Sequence, residues 1–478
     1  MESYSKSKSR AFGSHRYVDH EEEESDESVG DKPKPKNFDI FVPWACKAYG
    51  VEADVIVTRT LQSAYKSAVS PKKQVQNKQQ KKEKTHVTNE QGTGTDLSSS
   101  ENVQLTSSIK TETDKVVKIE AVYDDRKRLV HVKFLNNKNI PRTIMQVVAL
   151  TLPYQKYLTS ITINRVLCVE SLYEISKFLP NSQITELCFD GTFLKEANYH
   201  LLLPQSKLKH LSLARCTIND DVVKMITDQL KEPYPASKVL SALNLSSNKI
   251  TDAGANYIAD MLQSNRKLCY LNLAGNMITD KGGVSILNTF QKFPLQPQEL
   301  KESRVRYVAH LKEKSSLVNK FLKELQTAAL DGTKKKTLKK RLAGVHYSET
   351  DFEIQIQDKA EYMANQKLGF YSNPFSPENT EVKGGVVYCL GNNTLFCLNL
   401  AYNNLGYISL KKLVEVLKMQ QRLNRTPRGL IRVVTEGNLM PVACEEFVEI
   451  ERLLESAIKT KISPIKRRET SVQQKPGK

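Results

Sequence analysis

A fifteen-residue stretch of this chain is written twice, 28 positions apart. The first copy reads Leu240-Ser-Ala-Leu243-Asn-Leu245-Ser-Ser-Asn248-Lys-Ile250-Thr-Asp252-Ala-Gly254. The second reads Leu268-Cys-Tyr-Leu271-Asn-Leu273-Ala-Gly-Asn276-Met-Ile278-Thr-Asp280-Lys-Gly282. Repetition at a fixed period constrains architecture before any local propensity is considered, because one such unit can bury its apolar face only against its neighbour. Within a copy, Leu243 and Leu245 flank Asn244, the period-two pattern of a short strand with one buried face. The spacing predicts that Asn248 turns inward and bonds to backbone groups that the following turn leaves unpaired. Asp252 and Asp280 read as helix N-caps, and Gly254 and Gly282 as points where helix and strand approach closely. Tyr257, Ile258, Met261 and Leu262 then recur at helical spacing.

This is the leucine-rich repeat pattern, LxxLxLxxNxI, in its long form. Weaker copies flank the strong pair. Leu208, Leu211 and Leu213 precede Cys216; Ile184, Leu187 and Phe189 precede Thr192. Leu158, Ile161 and Ile163 form an earlier copy, and Leu129, Val132, Phe134 and Asn137 the first. After Phe290 the pattern stops, then returns at Leu395, Leu398, Leu400 and Asn403 and again, loosely, at Leu430, Val433 and Asn438. The expected fold is α/β: a ribonuclease-inhibitor-like solenoid of about eight repeats, parallel strands inside and helices outside, with disordered tails and a long insertion.

The resulting map has residues 1–36 disordered, 37–65 as a short docking segment that holds Trp44, and 66–124 as a low-complexity linker. Repeats one to six occupy 125–293, a partly helical Lys-rich insertion 294–393, repeats seven and eight with a closing helix 394–457, and a basic tail 458–478. The insertion reads as helix from about Glu299 to Ala329 and as loop beyond. The two return copies are expected to stack directly on the copy that precedes the insertion.

The net charge of +18 raises a nucleic-acid reading. Much of the basic character lies in Lys72–Lys84, Lys334–Arg341 and Lys459–Arg468, without interleaved aromatics or an RNA-binding fingerprint. An acidic filament surface such as a microtubule would attract these runs as well, so nucleic acid is kept as the alternative. The eight cysteines contain no CxxC pair, which argues against a zinc site and for buried free thiols. No signal peptide, long apolar run or lipidation motif appears, so a cytoplasmic chain with no membrane contact is expected. No Ser/His/Asp arrangement, Walker loop, HExxH or Rossmann fingerprint is present, and Gly282-Gly283 opens a repeat helix. The expectation is therefore no enzyme, no cofactor and no metal. Ran GTPase-activating proteins use this kind of repeat with an arginine near the early copies, and Arg165 and Arg215 sit where one could stand. The acidic tail of those proteins is absent, which leaves this as a third reading.

Gly254-Ala-Asn-Tyr257-Ile-Ala-Asp260-Met-Leu-Gln-Ser-Asn265-Arg266, followed by Leu271-Asn-Leu273, resembles the core of the leucine-rich repeat-containing protein 71 family. The order of parts is similar too: a polar N-terminus, a segment with one tryptophan, consecutive repeats, a Lys-rich insertion and a final pair beginning Leu398-Asn-Leu400. The resemblance spans about residues 125–440. It implies a non-enzymatic intracellular scaffold, set in motile cilia or the flagellar axoneme. The repeat register places Arg165, His210, Arg215, Asn244, Tyr270, Asn272, Asn399, Tyr402 and Arg432 as inward-facing positions for a protein partner.

Overall fold

The computed structural model describes residues 32–63, 116–336, 349–369, 371, 373–441 and 443–462. The expected disorder at the N-terminus, most of the linker, and the basic runs at 72–84, 337–341 and 463–468 lie outside these residues.

Alternating buried leucines drive a single ladder of strands. In chain order these are β1 (Asp54–Leu61), β2 (Val116–Tyr123), β3 (Leu129–Phe134), β4 (Ser160–Ile163), β5 (Glu186–Cys188), β6 (His210–Ser212), β7 (Ala242–Asn244), β8 (Tyr270–Asn272), β9 (Cys397–Asn399) and β10 (Arg432–Val434). All ten belong to one sheet whose spatial order equals the sequence order. β1 and β2 are parallel, β2 and β3 antiparallel, and every later pair parallel.

The returns between strands carry α2 (Arg142–Thr151), α3 (Val169–Phe178), α4 (Asp220–Leu230), α5 (Asp252–Ser264), α6 (Asp280–Asn288) and α9 (Tyr407–Leu423); α1 (Phe38–Ala48) precedes them and α10 (Glu445–Ile462) follows. The third repeat makes do with a 3-10 turn, Tyr199–Leu202. One continuous apolar cluster runs from Phe38 to Leu453, with Leu243, Leu271 and Leu398 fully buried between strands and helices. At about 25 cal/mol per Å2 of apolar surface, burial of this kind is the main stabilising term.

Two polar devices tie the later repeats to one another. The first is the asparagine. Asn276 donates through Nδ2 to the carbonyls of Leu245 and Leu273 and accepts at Oδ1 from Ile250 N. Asn248 and Asn403 repeat this arrangement. The second device differs from the cap that the spacing predicts. The N-caps are Thr251 and Thr279, whose hydroxyls accept from Ala253 N and Lys281 N. The aspartates one residue on reach across to the following repeat. Asp252 Oδ1 accepts from Thr279 N and Gly282 N, 2.8 and 3.0 Å away, and its other oxygen takes the Thr279 hydroxyl. Asp220 does the same for Thr251 and Gly254. This explains the glycines: a Cβ on Gly282 would stand 2.5 Å from Asp252 Oδ1. The close approach is to the previous repeat's carboxylate as well as to the repeat's own Ile278.

The ladder runs past the insertion without a break. Leu271 pairs with Leu243 on one side and with Leu398 on the other, and Asp280 accepts from Gly406 N and Ser409 N. The insertion itself departs from the loop expected beyond Ala329. α7 (Pro297–Lys336) is a 40-residue helix, about 60 Å long at 1.5 Å per residue. α8 (Glu349–Leu368) doubles back along it. Ser303 bonds to Asn373, and the His310 ring stacks on Tyr371 at 4.6 Å. Short strands at Phe293–Pro294, Thr380–Lys383 and Val386–Cys389 then form a separate three-stranded sheet over Leu295, Phe375 and Cys389.

The N-terminal expectations also change. Residues 116–123, placed in the linker, are β2, because Val117, Ile119 and Ala121 alternate into the core. The docking segment covers the first repeat through Phe38, Phe41 and Val42; Trp44 is not its anchor but is 38% exposed.

Candidate partner-binding face

Helices cover one side of the sheet and leave the other open. Residues on either side of each buried leucine point to the open side, so they line up in two rows across the strands. One row runs through Glu186, His210, Ala242, Tyr270, Cys397 and Arg432. The other runs through Ser212, Asn244, Asn272, Asn399 and Val434.

Six of the nine expected site residues lie in these rows: His210, Asn244, Tyr270, Asn272, Asn399 and Arg432. Arg165, Arg215 and Tyr402 do not. They follow the row strand, just before the position of the repeat asparagine, with φ of 72, 55 and 53°; Arg165 there opens a two-residue strand that pairs with Thr192–Phe193. The same position is left-handed in every repeat, at Asn136, Gly191, Ser247, Gly275 and Gly437. The chain has already left the strand there, so these three side chains stand at the rim of the face. Their backbone N–H groups carry the ladder onward, Arg215 to Ser246 O and Tyr402 to Glu436 O. Arg165 Nε is held by Asn136 Oδ1 of the preceding repeat.

The register also separates residues expected as neighbours. Asn244 stands opposite Ser212 and Asn272, while Tyr270 stands opposite Ala242 in the other row. Arg215 lies beyond both, in the turn.

The three row asparagines have a structural task. Each carboxamide oxygen accepts from the backbone N–H two residues on, at Ser246, Ala274 and Ala401, 3.0–3.1 Å away. This fixes the exit from the strand. The amide nitrogen of Asn244 donates to Ser212 Oγ at 2.9 Å. Among the described residues, those of Asn272 and Asn399 have no acceptor and face outward as donors.

Charge on the face is concentrated in the early repeats, where it is already paired. Lys133 lies 3.6 Å from Glu120, and His210 Nδ1 lies 3.2 Å from Glu186. Asp190 accepts from Ser212 Oγ and Ala214 N. Burial and the neighbouring Lys133 push His131 down to about 4, so its ring is neutral at pH 7 and bonds to Thr162. From β7 to β9 the rows carry no charge at all: Ala242, Asn244, Tyr270, Asn272, Cys397 and Asn399. Cys397 is buried, which pushes its thiol up and keeps it unreactive. Beyond it, Arg432 is exposed on β10, and the Tyr402 ring lies over Gly437 at the rim, 66% exposed.

The face is broad rather than hollow. Crevices of about 30 and 10 Å3 lie against α9, lined by residues such as Leu417, Gln420 and Arg428, and belong to the helical side. The larger has room for a water or two. Among the described residues no group of His, Cys, Asp and Glu could hold a metal, and no helix is long and apolar enough to cross a membrane.

The Leucine Rich repeat family profile matches residues 236–259, 264–287 and 391–414, the units that carry β7, β8 and β9. Curated proteins give no match. Among solved structures the chain is similar to the leiomodin-1 actin-binding site 2, with 14% identity over 61% of this chain and 88% of that one, at a TM-score of 0.26. It is also similar to an internalin from Listeria monocytogenes, with 11% identity over 70% of this chain and 63% of that one, at a TM-score of 0.29. Leucine-rich repeats are therefore present on both sides of the insertion, and they build the uncharged part of the open face.

Proposed function

We propose that this chain is a non-enzymatic protein-binding scaffold whose partner lies across the open face from β7 to β10. One observation carries this reading. The middle of the face is free of charge and presents the amide donors of Asn272 and Asn399, while Tyr270, Tyr402 and Arg432 stand in or beside it. Tyrosine and arginine around a surface without charges to desolvate are the usual composition of an interface centre. In the early repeats Lys133, Glu120 and Asp190 already have partners within the chain and have less to offer another protein.

The subtype we assign is the ribonuclease-inhibitor kind. Strands stack about 4.8 Å apart, whereas helices are about 10 Å across, so strand–helix units bend with the strands inside. The open face would then be the concave side of a curved solenoid. The setting we assign, motile cilia or flagella, follows from the family resemblance, and an acidic filament is the partner class that suits the basic runs.

The test is affinity capture from ciliated-cell lysate with wild type, a Tyr270→Ala/Arg432→Glu variant, and a chain lacking 1–31 and 463–478. Two hot-spot losses of about 2 kcal/mol each amount to roughly a thousandfold in affinity. The face variant is expected to lose the principal partner and the tail-less chain to keep it. Loss only on removing the tails would move the binding site to the terminal segments.

A further inference from the structure

We infer that the N-terminal end of the sheet, β1 with the bare side of α1, is the contact surface for a second copy of this chain. This is independent of the partner proposed for the open face. β1 pairs with β2 over eight residues in unbroken register, and among the described residues nothing pairs with its other edge. An edge strand left open in this way is a template for another strand, and proteins guard against it with short edges, proline, bulges or charge. The far edge of this sheet is guarded: β10 has only three residues. β1 is neither short nor broken by proline or a bulge, and its two charges, Asp54 and Arg59, stand outside the Val55–Thr58 centre. It is long, regular and without proline, and its one basic residue, Arg59, is drawn back to Asp39 of α1 at 2.6 Å.

The side chains at this end are apolar where a terminal unit should be polar. Ile56 and Leu61 on β1 are 48 and 51% exposed. On α1, Ile40 and Trp44, one helical turn apart, are 52 and 38% exposed.

The sequence of the edge points to a second copy as the occupant. Val55-Ile56-Val57 reads the same in both directions. Antiparallel pairing about a two-fold axis through Ile56 sets Ile56 against its own counterpart. Val55 then faces Val57 twice, and Asp54 faces Thr58 twice, a carboxylate beside a hydroxyl. Such β-branched cross-strand pairs are the favourable kind. An axis perpendicular to the sheet also keeps both α1 helices on one side of the joined sheet, where Ile40 and Trp44 can be covered. The result is a closed, self-complementary contact that leaves no long edge free.

Light scattering after size exclusion, on the full chain across a dilution series, tests this. Wild type should run at twice the chain mass. Ile56→Lys and Trp44→Glu change exposed positions, so far-UV circular dichroism should stay at the wild-type value, while melting should fall to that of wild type diluted to the monomer. Ile56→Lys should raise the dissociation constant roughly a hundredfold, through two lost isoleucine contacts and a new like-charge pair. With oxidised glutathione as oxidant, Ile56→Cys should cross-link two copies through a disulfide at the axis, whereas Ile408→Cys, exposed on the remote α9, should not. A monomeric wild type would overturn the proposal. A dimer that survives both charged variants, or Ile56→Cys that stays uncrosslinked, would overturn it equally.

Discussion

At the residue scale, the repeat works through positions whose meaning lies in the neighbouring unit. The asparagines were legible in the sequence, because a polar residue at a fixed place in an apolar frame must satisfy buried backbone groups. The aspartates are ambiguous in the sequence, because an N-cap and an inter-repeat acceptor need the same residue at nearly the same place. Only the geometry separates Thr279 as the cap from Asp252 as the bridge. Asp280 forms the same bridge over the insertion. Burial opposes its ionisation, but hydrogen bonds from Ser409 and Gly406 outweigh this and hold the carboxyl below the usual aspartate range. A depressed folded pKa contributes stability that is complete above the unfolded value of about 3.9 and is lost as pH falls through the folded value. Acid titration of unfolding free energy should therefore have a shallower acid limb in Asp280→Asn than in wild type, with the difference confined below about pH 5. The left-handed turn position makes a second prediction. Arg215 holds φ 55° where three other repeats have glycine. Left-handed backbone costs a non-glycine residue about 1–2 kcal/mol, and glycine costs about 0.5–1 in unfolded-state entropy. Denaturant unfolding of Arg215→Gly should thus give a change between zero and about 1.5 kcal/mol in the stabilising direction. A clear loss would mean that the arginine side chain anchors the turn.

At the element scale, the sequence told most where apolar spacing was dense. α7 could be read from Val305, Val308, Leu317, Phe321 and Leu325. α8 could not, since its buried contacts come from Ala360 and Ala364, which carry little hydropathic signal. The hairpin after it did leave a signal that the loop reading passed over: Gly384-Gly385 between Val382 and Val386, with φ of 58 and 78°, is a two-residue turn between alternating strands. β2 was likewise assigned to the linker because a low-complexity tract runs straight into it. The helical pair stands on a narrow base, since its two helices pack chiefly on each other. The small sheet is more firmly attached: Arg425 donates to Leu390 O, Gly391 O and Asn379 Oδ1. Replacing 312–368 by a short glycine linker should accordingly leave the melting temperature within about 2 °C of wild type, given that loop length costs little closure entropy. Loss of the cooperative transition would make the helical pair part of the folding unit.

At the scale of the whole molecule, the two strong repeats and their weaker copies were enough to order all the later strands of the sheet. Each unit needs the next to bury its leucines. What no repeat pattern contains is how the stack begins. The cap is α1 and β1, far apart in sequence from β2, and pairing across that distance leaves no local trace. The site was partly legible for a similar reason. The strand rows follow from period-two alternation, but the rim positions of Arg165, Arg215 and Tyr402 follow from a turn conformation that side-chain identity does not announce.

The central claim is that the open face over β7 to β10, and not the helical side, meets the partner. Site-specific photocrosslinking tests it most directly. A benzophenone amino acid would replace Tyr270 on the open face in one chain and Tyr257 on α5, which lies on the helical side, in another, both expressed in ciliated cells. The account predicts a discrete cross-linked protein from position 270 that is absent from position 257. Cross-links from 257 with none from 270 would contradict it.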